Sequence, residues 1–229
     1  MTSLQKWGKS VRTTIPVMAG YLVLGAGFGI LLRTRGYGLG WALAMSAFIY
    51  AGSMQYVAID LLTGGASILT AAVTTLLVNA RHLFYGISML ERYRAAGRYA
   101  PYLIFSLTDE TYSLVAARED LTGAECFRIS LLDQLYWVLG TALGSLAGAY
   151  LDFNTTGIDF SLTALFLTVF TEQWLETKDH APALIGLGVS IVCRLLFGAD
   201  SFLLPTMGGM LCCLLVLDAR RTKKGGESV

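Results

Sequence analysis

The chain is built from long runs that carry no charge at all, and these runs constrain its fold more than any motif does. Residues Ile15 to Leu32, Gly36 to Ile59, Leu61 to Ala80, Gln134 to Leu151 and Phe202 to Leu217 contain no Asp, Glu, Lys or Arg. A helix that crosses a bilayer needs about 20 mostly apolar residues, so several of these runs are long enough to span. Only 14% of the 229 residues are charged, against about 25% in soluble domains. The polar stretches between the runs are too short for a separate soluble domain. The reading is an all-α, polytopic membrane protein with about 7–8 transmembrane segments, at residues 15–32, 38–59, 65–90, 99–117, 129–151, 159–174, 181–197 and 201–217.

Basic residues flank this core. Lys6, Lys9 and Arg12 precede it, and Arg220, Arg221, Lys223 and Lys224 follow it. Residues 1–14 therefore read as a cytoplasmic N-terminal tail, 15–217 as the transmembrane transport domain and 218–229 as a basic polar C-terminal tail. Two cytoplasmic tails require an even number of crossings. Alternation then places Arg92, Arg94 and Arg98 outside, against the positive-inside rule. Either that loop breaks the rule or an early segment is broken or re-entrant. Segment one, with Pro16, Gly20, Gly25, Gly27 and Gly29, is the candidate. The stretch 15–32 is long for a signal-peptide core and no small-residue cleavage site follows it, so it reads as a retained helix.

The net charge of +1 and the lack of basic patches interleaved with aromatics speak against nucleic acid as a partner. The partner indicated by composition is the lipid bilayer. Cys126, Cys193, Cys212 and Cys213 have no C-x-x-C spacing and read as small apolar fillers, with no disulfide framework or metal site. His82 and His180 share no ligand motif, so no metal and no cofactor is expected. No P-loop, nucleophile elbow or H-E-x-x-H is present, and the chain reads as no enzyme. Gly140, Gly144 and Gly148 line one helix face. That face serves either internal packing or the docking of a partner subunit. Trp41, Trp137 and Trp174 suit interfacial belts, as does the end of segment six at Glu172-Gln173-Trp174, while Asp159 marks its start.

Ionisable residues inside such runs are costly, roughly 2.5–3.5 kcal/mol each at a helix centre, and persist where they pair, meet water or handle cargo. Three clusters stand out. The first, Tyr50-Ala51-Gly52-Ser53-Met54-Gln55, puts hydroxyls, an amide and a bare glycine backbone deep in an uncharged run. The second is Asn79-Ala80-Arg81-His82. Arg81 can grip a carboxylate with two donors, and His82 titrates near neutral pH. The third is Thr108-Asp109-Glu110-Thr111. Adjacent carboxylates point about 100° apart on a helix, so one can pair with Arg81 while the other faces a polar path. Each cluster also admits a structural role: interhelical hydrogen bonds, a snorkelling Arg81, or a plain ion pair.

Taken together these clusters resemble the azaleucine-resistance (AzlC-type) branched-chain amino acid permeases. Pro16, Gly20-Tyr21, Gly25 and Phe28-Gly29 are similar to that family's opening. Tyr50-Ala51-Gly52-Ser53-Met54-Gln55 matches its Y-A-G-S-x-Q signature, Asn79-Ala80-Arg81-His82 with Tyr85-Gly86 its N-x-R-H-x-x-Y-G stretch, and Thr108-Asp109-Glu110-Thr111 its T-D-E-T/S. The resemblance covers about residues 10–217 and is one of pattern mainly after Leu151. It implies export of valine, leucine, isoleucine and sometimes methionine, driven by an ion gradient, together with a small, hydrophobic AzlD-type subunit. On physical grounds the expected substrate-binding residues are Tyr50, Gly52, Ser53, Gln55, Asn79 and Arg81. The expected proton-coupling residues are His82, Asp109 and Glu110. A passive channel for small polar or zwitterionic solutes is the alternative expectation.

Overall fold

A computed structural model of the chain describes residues 3–118, 120–150 and 178–226, together with residues 157, 160, 163–164, 167, 170–171 and 174–175. Asp159, Glu172 and Gln173 lie outside the described residues. The ordered elements are helical: α1 (Ser3–Thr34), α2 (Leu39–Phe48), α3 (Gly52–Thr63), α4 (Ile68–Val78), α5 (Arg81–Ala95), a 3-10 turn (Gly97–Tyr99), α6 (Ala100–Phe105), α7 (Asp109–Ala116), α8 (Gly123–Tyr150), α9 (Ala181–Ser201) and α10 (Leu203–Gly226). No strand occurs among the described residues. Two compact units form, residues 1–163 and 164–229.

Two helices, Leu4–Thr34 and Ala181–Gly198, are each long and apolar enough to cross a membrane. The pair α4 and α5 would make a third if it counts as one span bent by 53°. Segment one is not the broken one. α1 runs unbroken through Pro16, which removes one backbone donor without ending the helix. The breaks fall in segments two, three and four: at Ile49 to Ala51, at Asn79-Ala80, and at Ser106 to Thr108. Each polar cluster found in the sequence lies at one of these breaks.

In the first unit α1 and α8 form the central pair. Their contact is lined with glycine on both sides. A Cβ added to Gly25 would lie 2.8 Å from the Trp137 carbonyl oxygen, and one on Gly140 2.7 Å from that of Leu22. At Gly29 and Gly144 it would fall closer still to the facing backbone. The two backbones therefore touch, as small residues allow between apolar helices. The Gly140/Gly144/Gly148 face is occupied by α1, so it offers no docking surface for a partner.

Trp137 is also not an interfacial residue. It is 4% exposed and stacks on Phe28 at 6.4 Å, with its edge to Tyr21 at 5.4 Å. A second core gathers Met89, Tyr93, Leu103, Val115, Cys126 and Ile129. Arg92 ties α5 to the end of α7, donating to Val115 O at 2.6 Å and also to Arg118 O. Val115 O also accepts from the Arg118 amide at 3.3 Å, so Arg92 adds a further donor at the helix end. α8 starts with a capping box. The Thr122 amide donates to Glu125 at 3.0 Å, and the Glu125 amide to the Thr122 hydroxyl at 3.3 Å. These bonds from Thr122 hold the Glu125 carboxyl below its ordinary range.

In the second unit α9 packs on α10, with Val189 against Gly209 and Met210 against Gly186. Gly198 has φ of 77° and kinks α9 near its end, a conformation that glycine adopts without penalty. Cys126 and Cys193 are buried, Cys212 and Cys213 are exposed, and all four are free thiols.

Candidate functional site

The break between α2 and α3 sits at Tyr50, a non-glycine residue with a left-handed backbone, φ 42°. A non-glycine residue in that region costs about 1–3 kcal/mol and persists only where packing holds it. Tyr50 is 4% exposed and packs against Phe105 at 6.4 Å. At the α6–α7 break the Ser106 hydroxyl donates back to Tyr102 O at 2.8 Å, a bond that bends helix ends. α7 restarts with Thr108 as its cap, accepting from the Thr111 amide at 3.3 Å.

Arg81 brings the three restarts together. It opens α5, and its guanidinium lies 2.9 Å from Asp109 Oδ2 at the start of α7. It also donates to Ser53 Oγ, in the first turn of α3, at 2.7 Å. Three helix N-termini therefore meet around one guanidinium. Each leaves amide N–H groups without intrahelical partners and carries partial positive charge. An anion is the natural guest of such a junction. Asp109 supplies one negative charge to it, and its neighbour Glu110 turns away, accepting from the Tyr21 hydroxyl at 2.7 Å.

Beside the junction lies a cavity of about 590 Å³. Tyr50, Asn79, His82, Tyr93 and Arg94 are the polar side chains that line it. Ile49, Leu83, Ile87, Leu90, Ile104, Phe105 and Leu107 form apolar walls. Asn79 Oδ1 is buried without a hydrogen-bond partner. A buried acceptor left unmade costs about 1–3 kcal/mol. His82 Nδ1 lies 3.2 Å from Asn79 O, and its ring meets Tyr85 edge-on at 5.9 Å.

The expected residues thus divide into two groups. Tyr50, Ser53, Asn79, Arg81, His82 and Asp109 converge on the junction and the cavity. Gln55 does not reach the cavity. It is fully buried, donates to Ser46 Oγ at 3.1 Å and accepts from the Trp137 ring N–H at 2.9 Å. Ser46 in turn donates to Thr141 at 2.9 Å, so Gln55 fastens α2, α3 and α8. Gly52 packs against the Trp137 ring, where an added Cβ would meet it at 3.0 Å. Glu110 faces Tyr21 on α1.

Two groups escaped the sequence reading. Tyr21 entered only as part of an opening pattern. Asp133 bounds the uncharged run that starts at Gln134, so in the sequence it reads as a run end and not as a buried acid. Its position inside the expected span 129–151 was the available signal. It is fully buried and accepts from the Thr111 hydroxyl at 2.9 Å.

Comparison with known proteins agrees with this architecture. The chain matches the AzlC protein family over residues 16–151. It is 46% identical over 209 residues to the branched-chain amino acid transport protein AzlC of Bacillus subtilis (strain 168), covering 89% of this chain and 82% of that one. It is 42% identical over 207 residues to an uncharacterized membrane protein of Helicobacter pylori (strain ATCC 700392 / 26695), covering 89% and 91%. It is also 26% identical over 222 residues to the inner membrane protein YgaZ of Escherichia coli (strain K12), covering 90% and 87%. No solved structure matches the chain. Its relatives are named as membrane and transport proteins, and it carries helices able to span a bilayer; the chain is a membrane protein and belongs to the AzlC family.

Proposed function

We propose that this protein is a secondary transporter that exports branched-chain and similar aliphatic amino acids across the cytoplasmic membrane, coupled to an ion gradient. The observation that carries the reading is the pairing of an apolar-walled cavity with the three helix starts gathered on Arg81. An aliphatic amino acid needs both kinds of surface. Its carboxylate suits Arg81 and the helix N-termini, and its ammonium suits Asp109 and Asn79 Oδ1. Its branched side chain suits the walls formed by Leu83, Ile87, Ile104 and Phe105. One methylene against such walls changes affinity by only about 1–3 kcal/mol, so valine, leucine, isoleucine and methionine would share the site. The name of the Bacillus subtilis relative points the same way.

Tyr50 and Ser53 would line and orient the polar end, while Gln55 and Gly52 would keep the α2–α3 break in shape. His82, Asp109 and Glu110 would carry or sense the coupling proton. The broken helices would cross as paired half-spans, giving about 7–8 segments over 15–217. The basic ends at 1–14 and 218–229 would face the cytoplasm as continuations of the terminal helices. A small hydrophobic AzlD-type subunit would complete the exporter, a proposal supported by family membership alone.

The test uses inverted membrane vesicles with labelled leucine, with and without the small subunit. Saturable uptake blocked by valine and isoleucine, but not by leucine analogues lacking the carboxylate or the amine, supports zwitterion recognition. Non-saturating flux indifferent to every competitor would point to a passive pore.

A further inference from the structure

Asp133 has no role in the site described so far, yet it is fully buried and lacks a cationic partner. Among the described residues no lysine or arginine pairs with it. One of its oxygens, Oδ1, is buried with no hydrogen bond. An ionised carboxylate in that setting carries a desolvation cost of several kcal/mol. Something must offset it.

Its other oxygen ends a continuous hydrogen-bonded chain. Glu110 Oε2 lies 2.7 Å from the Tyr21 hydroxyl, and the Tyr21 hydroxyl 2.7 Å from the Thr108 hydroxyl. Thr108 lies 3.1 Å from Thr111, and Thr111 2.9 Å from Asp133 Oδ2. Four contacts join two carboxyl groups through three hydroxyls, and each hydroxyl owns a single hydrogen. If both carboxyls were ionised, Tyr21 would donate to Glu110 and Thr111 to Asp133. Thr108 could then fill only one of the two remaining contacts. One oxygen pair would face each other without a hydrogen between them, Tyr21 and Thr108 at 2.7 Å or Thr108 and Thr111 at 3.1 Å. One added proton removes the deficit, giving four hydrogens for four contacts.

We propose that Glu110 and Asp133 are the two ends of a one-proton chain through Tyr21, Thr108 and Thr111, and that Asp133 is its inner proton acceptor. Two arrangements satisfy every contact. With the proton on Asp133, donation runs Asp133 to Thr111 to Thr108 to Tyr21 to ionised Glu110. With the proton on Glu110, every hydroxyl reverses and Asp133 is ionised. Passing from one to the other moves one proton's worth of charge between α7 and α8, and no bond to carbon changes. The groups facing the chain are Tyr50 beside both ends, Tyr102 beside Asp133, and Asp109 and Arg81 beside Glu110. The role of this proton in transport rests on the gradient-coupled reading above; its presence in the chain does not.

Two measurements separate those claims. In infrared spectra of the protein in liposomes at neutral pH, the wild type shows the carbonyl band of a protonated carboxyl. Asp133→Asn and Glu110→Gln each remove it, because an amide donates the missing hydrogen and no spare proton is needed. No such band in the wild type, or its survival in both variants, overturns the chain. In leucine transport, Asp133→Asn keeps leucine–leucine exchange and loses accumulation driven by a proton gradient, and Glu110→Gln also loses accumulation. Thr111→Ser behaves as wild type, and Thr111→Val, which cuts the chain while keeping both acidic residues, loses accumulation. Equal accumulation by Thr111→Ser and Thr111→Val overturns the proposed path. If the wild type moves no leucine, the transport reading fails and the infrared result still decides the chain.

Discussion

Arg81 divides its guanidinium between Ser53 and Asp109, so a change there acts on α3, α5 and α7 together. Arg81→Lys keeps the charge but loses the planar fork that serves two partners at once. It should keep the fold and lose most leucine transport, read as uptake per folded molecule. Asp109→Asn removes the carboxylate charge 2.9 Å from the guanidinium. Breaking a buried pair costs about 3–5 kcal/mol, but these side chains are 31% and 26% exposed, and that water brings the expected loss to about 1–2 kcal/mol. Gln55→Leu is a sharper structural test. It strands the Trp137 ring N–H and takes away the amide donor to Ser46 Oγ, at about 2–4 kcal/mol, seen as a lower melting temperature in detergent. The pairing of Arg81 with an acid of the Thr108 to Thr111 cluster was legible in the sequence, because two opposite charges in apolar runs have few other partners. The burial of Gln55 was not, since an amide in an uncharged run looks the same whether it meets a ligand or a tryptophan.

The helices themselves divide into a rigid pair and a set of broken ones. α1 and α8 touch backbone to backbone, so Gly144→Ala drives a Cβ into the Ala26 backbone and should cost about 3 kcal/mol or more. Gly20→Ala meets nothing within 4 Å and should gain about 0.5–1 kcal/mol of helix propensity. Comparing the two melting temperatures tests the packing directly; equal shifts would contradict it. The glycines were easy to see in the sequence, but not what they meet. In α1 they suggested a broken helix, which the structure does not show; in α8 internal packing and partner docking both stood open, and packing against α1 is what the structure shows. Both have one cause. Periodicity marks which residues share a face but not what covers it, and here each glycine face covers the other. The true breaks carry little glycine at the bends. Tyr50, Asn79 and Ser106 mark them, held by burial and side-chain bonds that become visible only in three dimensions.

At the scale of the whole molecule, an apolar chain has placed its ionisable side chains where three helices restart. The sequence marked these places as clusters, because charge in an apolar run is rare and costly. It did not show that the clusters were breaks, or that Tyr21 and Asp133 extend them into α1 and α8. That arrangement predicts an exporter that recognises a zwitterion at the junction and an aliphatic side chain in the adjoining cavity. The most direct test is accumulation of labelled leucine in inverted vesicles under an imposed proton gradient, comparing wild type with Arg81→Lys at equal amounts of folded protein. The account predicts accumulation against the leucine gradient in the wild type and little in the variant. Equal accumulation by both would contradict the assignment of the Arg81 junction as the substrate site.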